Sequence, residues 1–255
     1  NLNGAKLDYY TQCRMADFTI NVKKVPNSEL ATIEQLPGVM SVEGRIRQYA
    51  VVDLPSSPQP LSGIVLSMPD ERRHGINDIL LRRGDYFTER RENEVIVNEA
   101  FAQAHGLAPG QWIHLLLNNR RQELFIVGTS ISSEFVYLLG PGALLPDPRT
   151  YGVFYLKHSY AEETFDFNGA CNEIVGRVTP ETADRIGPLL FEAETRLDPY
   201  GVAATTELAD QGSNKYLSQE IDGLKAFGVV VPAIFLAVAA LVLNILLRRL
   251  VDGQR

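Results

Sequence analysis

The sequence predicts an α+β protein in which a strand–helix–strand unit occurs twice, with a long insertion between the copies and an apolar helix after the second. A β-rich run, a capped helix and a Pro-Gly stop occur in this order in residues 17–53 and again in residues 172–206. An uncharged run of 22 residues follows the second copy. We therefore expect a ferredoxin-like, split βαβ module with an inserted β-rich module, a stalk helix and one transmembrane helix.

The first unit begins with the β-branched run Asp17–Val25, which is typical of a strand. Pro37 and Gly38 end the following helix, and a second strand is predicted over Val39–Asp53. Apolar residues at helical spacing separate the two strands: Leu30, Ile33 and Leu36.

The second unit repeats this pattern with a strand over Asn172–Val178, and Thr179 caps a helix that has Pro180 at its first position. A stop at residues 199–201 precedes the last strand, Val202–Thr206. One helix face carries the apolar residues Ile186, Leu189, Leu190, Ala193 and Leu197.

The insertion opens at the proline-rich loop Pro55–Pro60, because three prolines in six residues disfavour regular pairing. Its return strand, Tyr151–Leu156, leads back to the first module, so we expect the two crossings to lie close together. The other predicted elements are strands over Glu94–Asn98, Trp112–Leu117 and Glu123–Val127, a helix over Glu99–His105, and a turn-rich stretch over Gly140–Arg149.

The long apolar run Ala226–Leu247 is predicted to cross a membrane, since at about 1.5 Å per residue it spans a hydrocarbon core of about 30 Å. Arg248, Arg249 and Arg255 follow it, whereas only Lys225 lies close before it, which places the C-terminal end in the cytoplasm. Residues 1–225 are then extracytoplasmic. No signal peptide precedes them, so we expect an earlier transmembrane helix ahead of them.

The predicted parts of the chain have the following bounds. Residues 1–54 and 168–206 form the sheet-and-helix module, 55–167 the inserted β-rich module, 207–225 the stalk helix, 226–247 the transmembrane helix and 248–255 a cytoplasmic tail.

The stalk carries an apolar stripe that runs into the membrane helix, formed by Leu217, Ile221 and Leu224. Within the span, Asn244 is costly in lipid unless it bonds to another helix, so Asn244 and Pro232 indicate either packing against further transmembrane helices or a lone anchor. Gly212 and Gly223 allow the stalk helix to bend.

Composition and motifs exclude several function classes. Residues 1–225 carry 21 basic and 30 acidic side chains, which argues against binding to nucleic acid. The four histidines are scattered without HExxH or metal-ligand spacing, and neither GxSxG nor GxxxxGK[ST] occurs. We therefore predict no catalytic residue, no cofactor and no metal in this chain, with any ATP handled elsewhere. The arginine pairs at positions 82–83, 90–91 and 120–121 are consistent either with ordinary solvated surface charge or with a cationic face that binds lipid head groups or a partner protein.

The stretch Leu80–Ser132 contains an ordered series of motifs: a glycine and a phenylalanine, a strand ending in Asn-Glu, an alanine and Gly-Leu, a glycine turn, two strands and Val-Gly. Their positions are Gly84, Phe87, Val95, Asn98, Glu99, Ala102, Gly106, Leu107, Gly110, Val127 and Gly128. In this order of elements the stretch resembles the extracytoplasmic core of FtsX/MacB-type ABC transporter permeases. Gln111 follows Gly110 where the family often has Asp.

The resemblance implies a permease subunit of a bacterial cytoplasmic membrane that is not itself an enzyme. Its expected partners are a cytoplasmic ABC ATPase, a second permease chain or half, and a lipid or periplasmic partner protein. The implied role is mechanical: ATP hydrolysis drives the outward domain to move or extrude a lipid, lipoprotein, peptide or drug. The alternative is a single-pass sensor or adhesion module that binds a ligand in the loops Pro55–Pro60 and Gly140–Arg149.

The two cysteines are expected to remain free although the domain faces an oxidising compartment. In a split βαβ sheet the first and third strands are antiparallel, so Cys13 and Cys171 fall at opposite ends. A disulfide requires Cα atoms within about 7 Å.

Overall fold

The computed structural model describes residues 2–54 and 61–252, so the predicted loop Pro55–Pro60 lies outside the described residues. The helices are α1 (Leu2–Gln12), α2 (Leu30–Glu34), α3 (Glu99–Ala104), α4 (His158–Phe165), α5 (Pro180–Ala183), α6 (Ile186–Leu197) and α7 (Gly212–Asp252). The strands are β1 (Phe18–Pro26), β2 (Val39–Arg45), β3 (Arg47–Asp53), β4 (Leu61–Met68), β5 (Ile79–Gly84), β6 (Glu94–Asn98), β7 (Trp112–Leu117), β8 (Arg120–Ser132), β9 (Tyr151–Lys157), β10 (Ala170–Val178) and β11 (Val202–Glu207).

The first sheet has four strands in the order β11-β1-β10-β2, and every neighbouring pair is antiparallel. This is the ferredoxin-like order, because β1–α2–β2 and β10–α6–β11 are two βαβ units that interleave. Helices α2 and α6 share an apolar core with one face of the sheet. The core includes Phe18, Ile20, Ile33, Ile174, Leu189 and Leu197. The split βαβ prediction is confirmed.

The second sheet has seven strands in the order β5-β8-β6-β9-β4-β3-β7, and β7 also pairs with β8. That additional pairing closes a ring of six strands, with β5 attached to β8 outside the ring. All six strands contribute to one apolar core, which identifies it as the interior of a small barrel. Members of this core are Val52, Val65, Val97, Phe101, Leu115, Ile126 and Phe154.

The chain crosses between the sheets at one residue, Ile46, which is fully buried. The sequence predicts one strand over Val39–Asp53, but the structure divides it into β2 in the first sheet and β3 in the barrel. The division follows from the backbone of Ile46: its N–H donates to Ser67 Oγ at 2.8 Å, and its carbonyl accepts from Ser67 N at 2.9 Å. These bonds tie the chain to β4 of the barrel instead of extending the first sheet.

The two crossings lie side by side, as the sequence predicts. Glu173, soon after the chain returns from the barrel, pairs directly with Arg45, the last residue of β2 before the chain leaves. The register also places Cys171 opposite Val25, whereas Cys13 precedes the other end of β1. Both thiols are buried and free.

Helix α7 is continuous through Pro232, so stalk and apolar segment form one rod. Its part Gly212–Leu246 is long and apolar enough to cross a membrane, with a mean hydropathy of 2.8 in its most apolar window. None of that window is buried within this chain. The fold is therefore an α+β domain of two sheets followed by a stalk and a candidate membrane span.

Candidate functional site: the junction of two sheets and the stalk

A buried ionic network joins the two sheets next to the crossing. Arg45 of β2 bonds through its Nε to Glu173 of β10, and its Nη1 donates to Glu134 Oε2 at 2.8 Å. A second bond joins Arg45 Nη2 to Glu134, and Arg47 Nη1 of β3 donates to the other oxygen of Glu173 at 3.0 Å. Two guanidinium groups thus face two carboxylates, and the network carries no net charge.

The centre of the network is shielded from solvent, whereas the Arg47 side chain at its margin is 33% exposed. Arg45 is 6% exposed and Glu173 is fully buried. Burial alone would raise the pKa of Glu173, but Arg45 and Arg47 hold the pKa below its ordinary value. Burial likewise opposes the charge on Arg45, and Glu134 and Glu173 outweigh it and raise the pKa of Arg45. Arg45 and Glu173 are therefore both charged, and removal of one would leave the other buried without its partner.

A reciprocal pair of amide bonds reinforces the crossing beside this network. The backbone N–H of Arg47 donates to Asn172 Oδ1 at 2.7 Å, and Asn172 Nδ2 donates to the Arg47 carbonyl at 2.8 Å. Asn172 thus holds the first residue of β3 in place although β3 belongs to the other sheet.

The network continues into the first turn of the stalk helix. Ser213 Oγ donates to the backbone carbonyl of Glu134 at 2.5 Å and accepts from the Tyr137 N–H at 3.1 Å. One turn further along α7, the ring of Tyr216 stacks on that of Tyr137, with centroids 3.9 Å apart and planes 14° apart. The residue that binds Arg45 is therefore part of the segment that holds the stalk.

The same turn of the stalk is also tied to the first sheet. Gln211 Nε2 donates to the carbonyl of Ala16 at 3.0 Å, and the Leu208 N–H donates to the carbonyl of Asp17 at 2.8 Å. Farther along, Ser218 accepts a bond of 2.8 Å from Lys6 Nζ of α1. The segment that leads into α7 is thus held by the residues before β1, and α7 itself contacts the loop after β8 and the N-terminal helix.

The predicted stalk stripe is only partly covered within this chain. Ile221 is buried, Leu217 is half-buried and Leu224 is 55% exposed. The two residues predicted to pack in the membrane, Pro232 and Asn244, are both exposed. The stripe therefore leaves the domain at Ile221, and beyond it α7 offers apolar side chains that no described residue covers.

The family-pattern residues occupy structural positions in the barrel, away from the junction. A Cβ on Gly84 would lie 2.2 Å from the Val127 carbonyl oxygen, and one on Gly128 would lie 2.4 Å from that of Asp85, so both glycines allow close backbone approach between β5 and β8. Asn98 Oδ1 accepts from the Val153 N–H at 2.8 Å.

Three further family-pattern positions, Glu99, Gly106 and Gly110, lie at the start of α3 and in the turns that follow it. Glu99 bonds to Arg83 and Gln103. Gly106 and Gly110 have φ of +64° and +93°, the left-handed region that favours glycine in turns.

The junction residues Arg45, Glu134 and Glu173 were not among the sites suggested by the sequence. Each is one charged residue in a strand or loop, and no spacing links positions 45, 134 and 173 along the chain. The one signal that could have indicated the junction is the alternation of charged and apolar residues around Ile46, because Arg45 and Arg47 flank an apolar residue that must be buried.

The structure brings together no metal site among residues 2–54 and 61–252. In these ranges no three His, Cys, Asp or Glu side chains are grouped to hold a metal ion. His74, His105, His114 and His158 contact Asp78, the Arg149 carbonyl, Glu123 and Ser67 respectively, in four separate places. The turn-rich stretch Gly140–Arg149 presents Leu144 and Leu145 to solvent.

Comparison with known proteins finds likeness at the level of fold. No protein-family model and no curated protein sequence matches the chain. A solved structure of the periplasmic region of MacB from Actinobacillus actinomycetemcomitans is similar, with 10% identity, a TM-score of 0.46, and coverage of 86% of this chain and 98% of that one.

Two further solved structures are similar. The extracellular domain of the noncanonic ABC-type transporter YknZ from Gram-positive bacteria has 10% identity, a TM-score of 0.45, and coverage of 75% of this chain and 98% of that one. A permease-protein domain from Porphyromonas gingivalis has 12% identity, a TM-score of 0.35, and coverage of 71% and 84%.

Proposed function

We propose that this chain is the extracytoplasmic domain and following transmembrane helix of an ABC-type permease subunit, in which the junction passes motion between the membrane helix and the two sheets. The observation that carries this proposal is the unbroken series of contacts from α7 through Ser213 and Glu134 to Arg45 and Glu173. A tether that only anchors a domain does not require such a series.

The physical basis is that α7, a continuous helix, begins at the junction between the first sheet and the barrel. Helix α7 runs from Gly212 into the candidate membrane span without a break. Its first turn contacts the loop after β8, which belongs to the barrel, and the residues just before it, Leu208 and Gln211, donate to the carbonyls of Asp17 and Ala16, which precede β1. A tilt of the helix therefore acts on both sheets at once, and the stripe Leu217, Ile221 and Leu224 serves as a stalk that packs against a second permease chain.

The orientation and partners follow from this assignment. The basic side chains after the span put the C-terminal end in the cytoplasm and residues 1–225 outside the cytoplasmic membrane of a bacterium. ATP hydrolysis belongs to a separate ATPase subunit or domain in the cytoplasm, and this chain is not an enzyme. In the membrane, Pro232 and Asn244 pack against other helices of the permease. The cargo is a lipid, lipoprotein, peptide or drug.

The test inserts a flexible Gly-Ser segment between Gln219 and Glu220 in the complete transporter with its ATPase. Spin labels at two exposed positions, Arg120→Cys on the barrel and Phe191→Cys on α6, report the distance between the two sheets by electron–electron resonance. We expect ATP with vanadate to change this distance in the uninterrupted protein. In the insertion variant the distance should stay constant while ATPase activity persists.

A matched control carries the same insertion between Gly142 and Ala143, in a turn that α7 does not contact, and it should preserve the nucleotide response. A nucleotide response that survives insertion in the stalk would show that α7 is only a tether. Absence of any nucleotide response, together with no ATPase that copurifies, would favour the single-pass sensor.

A further inference from the structure

A cleft of about 900 Å³ lies between the open face of the first sheet, the barrel and the start of the stalk. The first sheet contributes Thr19 and Asn21 of β1, and the barrel contributes Gln48 and Tyr49 of β3. The remaining wall consists of the loop after β8 and α7 as far as Gln219. The volume is in the range of sites that enclose a ligand.

Some polar side chains in the cleft are neutral and unused. In the part of the chain that the structure describes, the side-chain amides of Asn21, Gln48 and Gln219 make no hydrogen bond, and the ring of Tyr49 is 69% exposed. The charged residues of the lining already have partners: Arg47 bonds to Glu173, Glu134 bonds to Arg45, and Lys215 lies 3.9 Å from Asp210. Amides present a donor and an acceptor together, which is the complement of a peptide group and not of an anion.

A free sheet edge adjoins this cleft. Strand β11 ends the first sheet, pairs only with β1 among the described strands, and contributes Ala203 and Thr206 to the cleft wall. The Leu208 N–H donates to Asp17, the residue before the pair Phe18–Glu207. Because bonded and non-bonded pairs alternate in antiparallel strands, the N–H groups of Thr205 and Glu207 point away from β1.

We propose that the cleft binds an extended peptide segment of another protein, which adds to the free edge of β11 as a fifth strand. The backbone of the segment bonds to outward-facing groups of β11, and its long side chains on the open face of the sheet reach over β11 toward Asn21, Gln48 and Gln219 in the cleft. Strand addition supplies affinity through main-chain bonds and specificity through the side chains beside them. The site does not depend on the function proposed above, since it requires only the described domain.

The test uses the full chain in lipid nanodiscs and short random peptides displayed on phage. Peptides are selected on the wild-type chain and counter-selected on Thr205→Pro. Proline removes the outward N–H at an edge position where the β1 pairing does not use it, so the sheet is expected to remain intact. The matched control, Thr205→Ala, removes the side chain and keeps the N–H. Circular dichroism and the thermal midpoint establish that both variants fold.

We expect selected peptides, measured by fluorescence anisotropy, to bind Thr205→Ala within about twofold of wild type and Thr205→Pro at least about tenfold more weakly, the effect of losing backbone hydrogen bonds. Asn21→Ala should weaken binding by a smaller factor. The proposal is overturned if selection yields no peptide that distinguishes the proline variant, or if wild-type chains pair with each other through β11.

Discussion

The two sheets of this protein are stabilised in different ways. The first sheet keeps one face open to a ligand, whereas the barrel closes around its own apolar core. The first sheet packs apolar residues against helices on one face only, and leaves Thr19 and Asn21 on the other. The barrel encloses one apolar core and packs a second on its outer surface, which includes Ile64, Ile96 and Tyr155. The first sheet therefore supplies the accessible surface, and the barrel supplies a rigid body beside it.

The sharpest way to break this arrangement is to remove Glu173, which joins the two sheets. Glu173→Ala leaves Arg45 buried without one carboxylate, so we expect a loss of about 3–5 kcal/mol in the free energy of unfolding. Chemical denaturation of the full chain in detergent measures it. Glu123→Ala, which removes a 56% exposed carboxylate near His114, should change stability by less than about 1 kcal/mol. Equal effects of the two substitutions would contradict the buried network.

A smaller effect tests the close packing of the barrel strands. Gly128→Ala places a Cβ 2.4 Å from the backbone oxygen of Asp85, and we expect a loss of about 1–3 kcal/mol because backbone cannot move aside cheaply. The same chemical change at Gly187, in α6 with no heavy atom within 4 Å, should stabilise by about 0.5–1 kcal/mol. Thermal unfolding of both variants gives the comparison, and a stabilising Gly128→Ala would show that β5 and β8 are less close.

The smallest expected effect is on the loss of folding stability at acid pH. The pKa of Glu173 is lowered in the folded state, so its stabilising contribution is present above the pKa of an unfolded glutamate, about 4.3, and is lost as pH falls through the folded value. We expect Glu173→Gln to have a shallower loss of stability below about pH 4.3 than the wild type. Denaturation midpoints across the acid range measure this slope. Identical slopes would show that another group controls acid unfolding.

The sequence predicted the first sheet because its signals are local. Pro37–Gly38 and residues 199–201 end helices at the expected places, and the two βαβ units follow from order alone. The barrel was only partly predicted. Its closure depends on the pairing of β3 with β7, between residues more than sixty positions apart, and periodicity does not reveal which sheet a strand joins.

Strands β4 and β5 and helices α1 and α4 were not predicted either. β4 is almost entirely buried, so it has a continuous apolar run and no alternation to mark it as a strand. The junction depends on the same long-range closure, since Arg45, Glu134 and Glu173 meet only when both sheets are complete. The signals for Leu217, Ile221 and Leu224 were periodic and local, and their role as a stalk stays a prediction.

The one-residue crossing at Ile46 has a mechanical consequence. The barrel is attached to the first sheet by two chain segments, one at Ile46 and one just before β10, and the pairing of Arg45 with Glu173 shows that these segments run side by side. Because the two connecting segments are neighbours, rotation of the barrel about the line through them is the motion that the covalent chain restrains least. Glu134 bonds to Arg45 beside that line and is itself held by Ser213 of the stalk, so the buried network restrains rotation of the barrel about the two attachments.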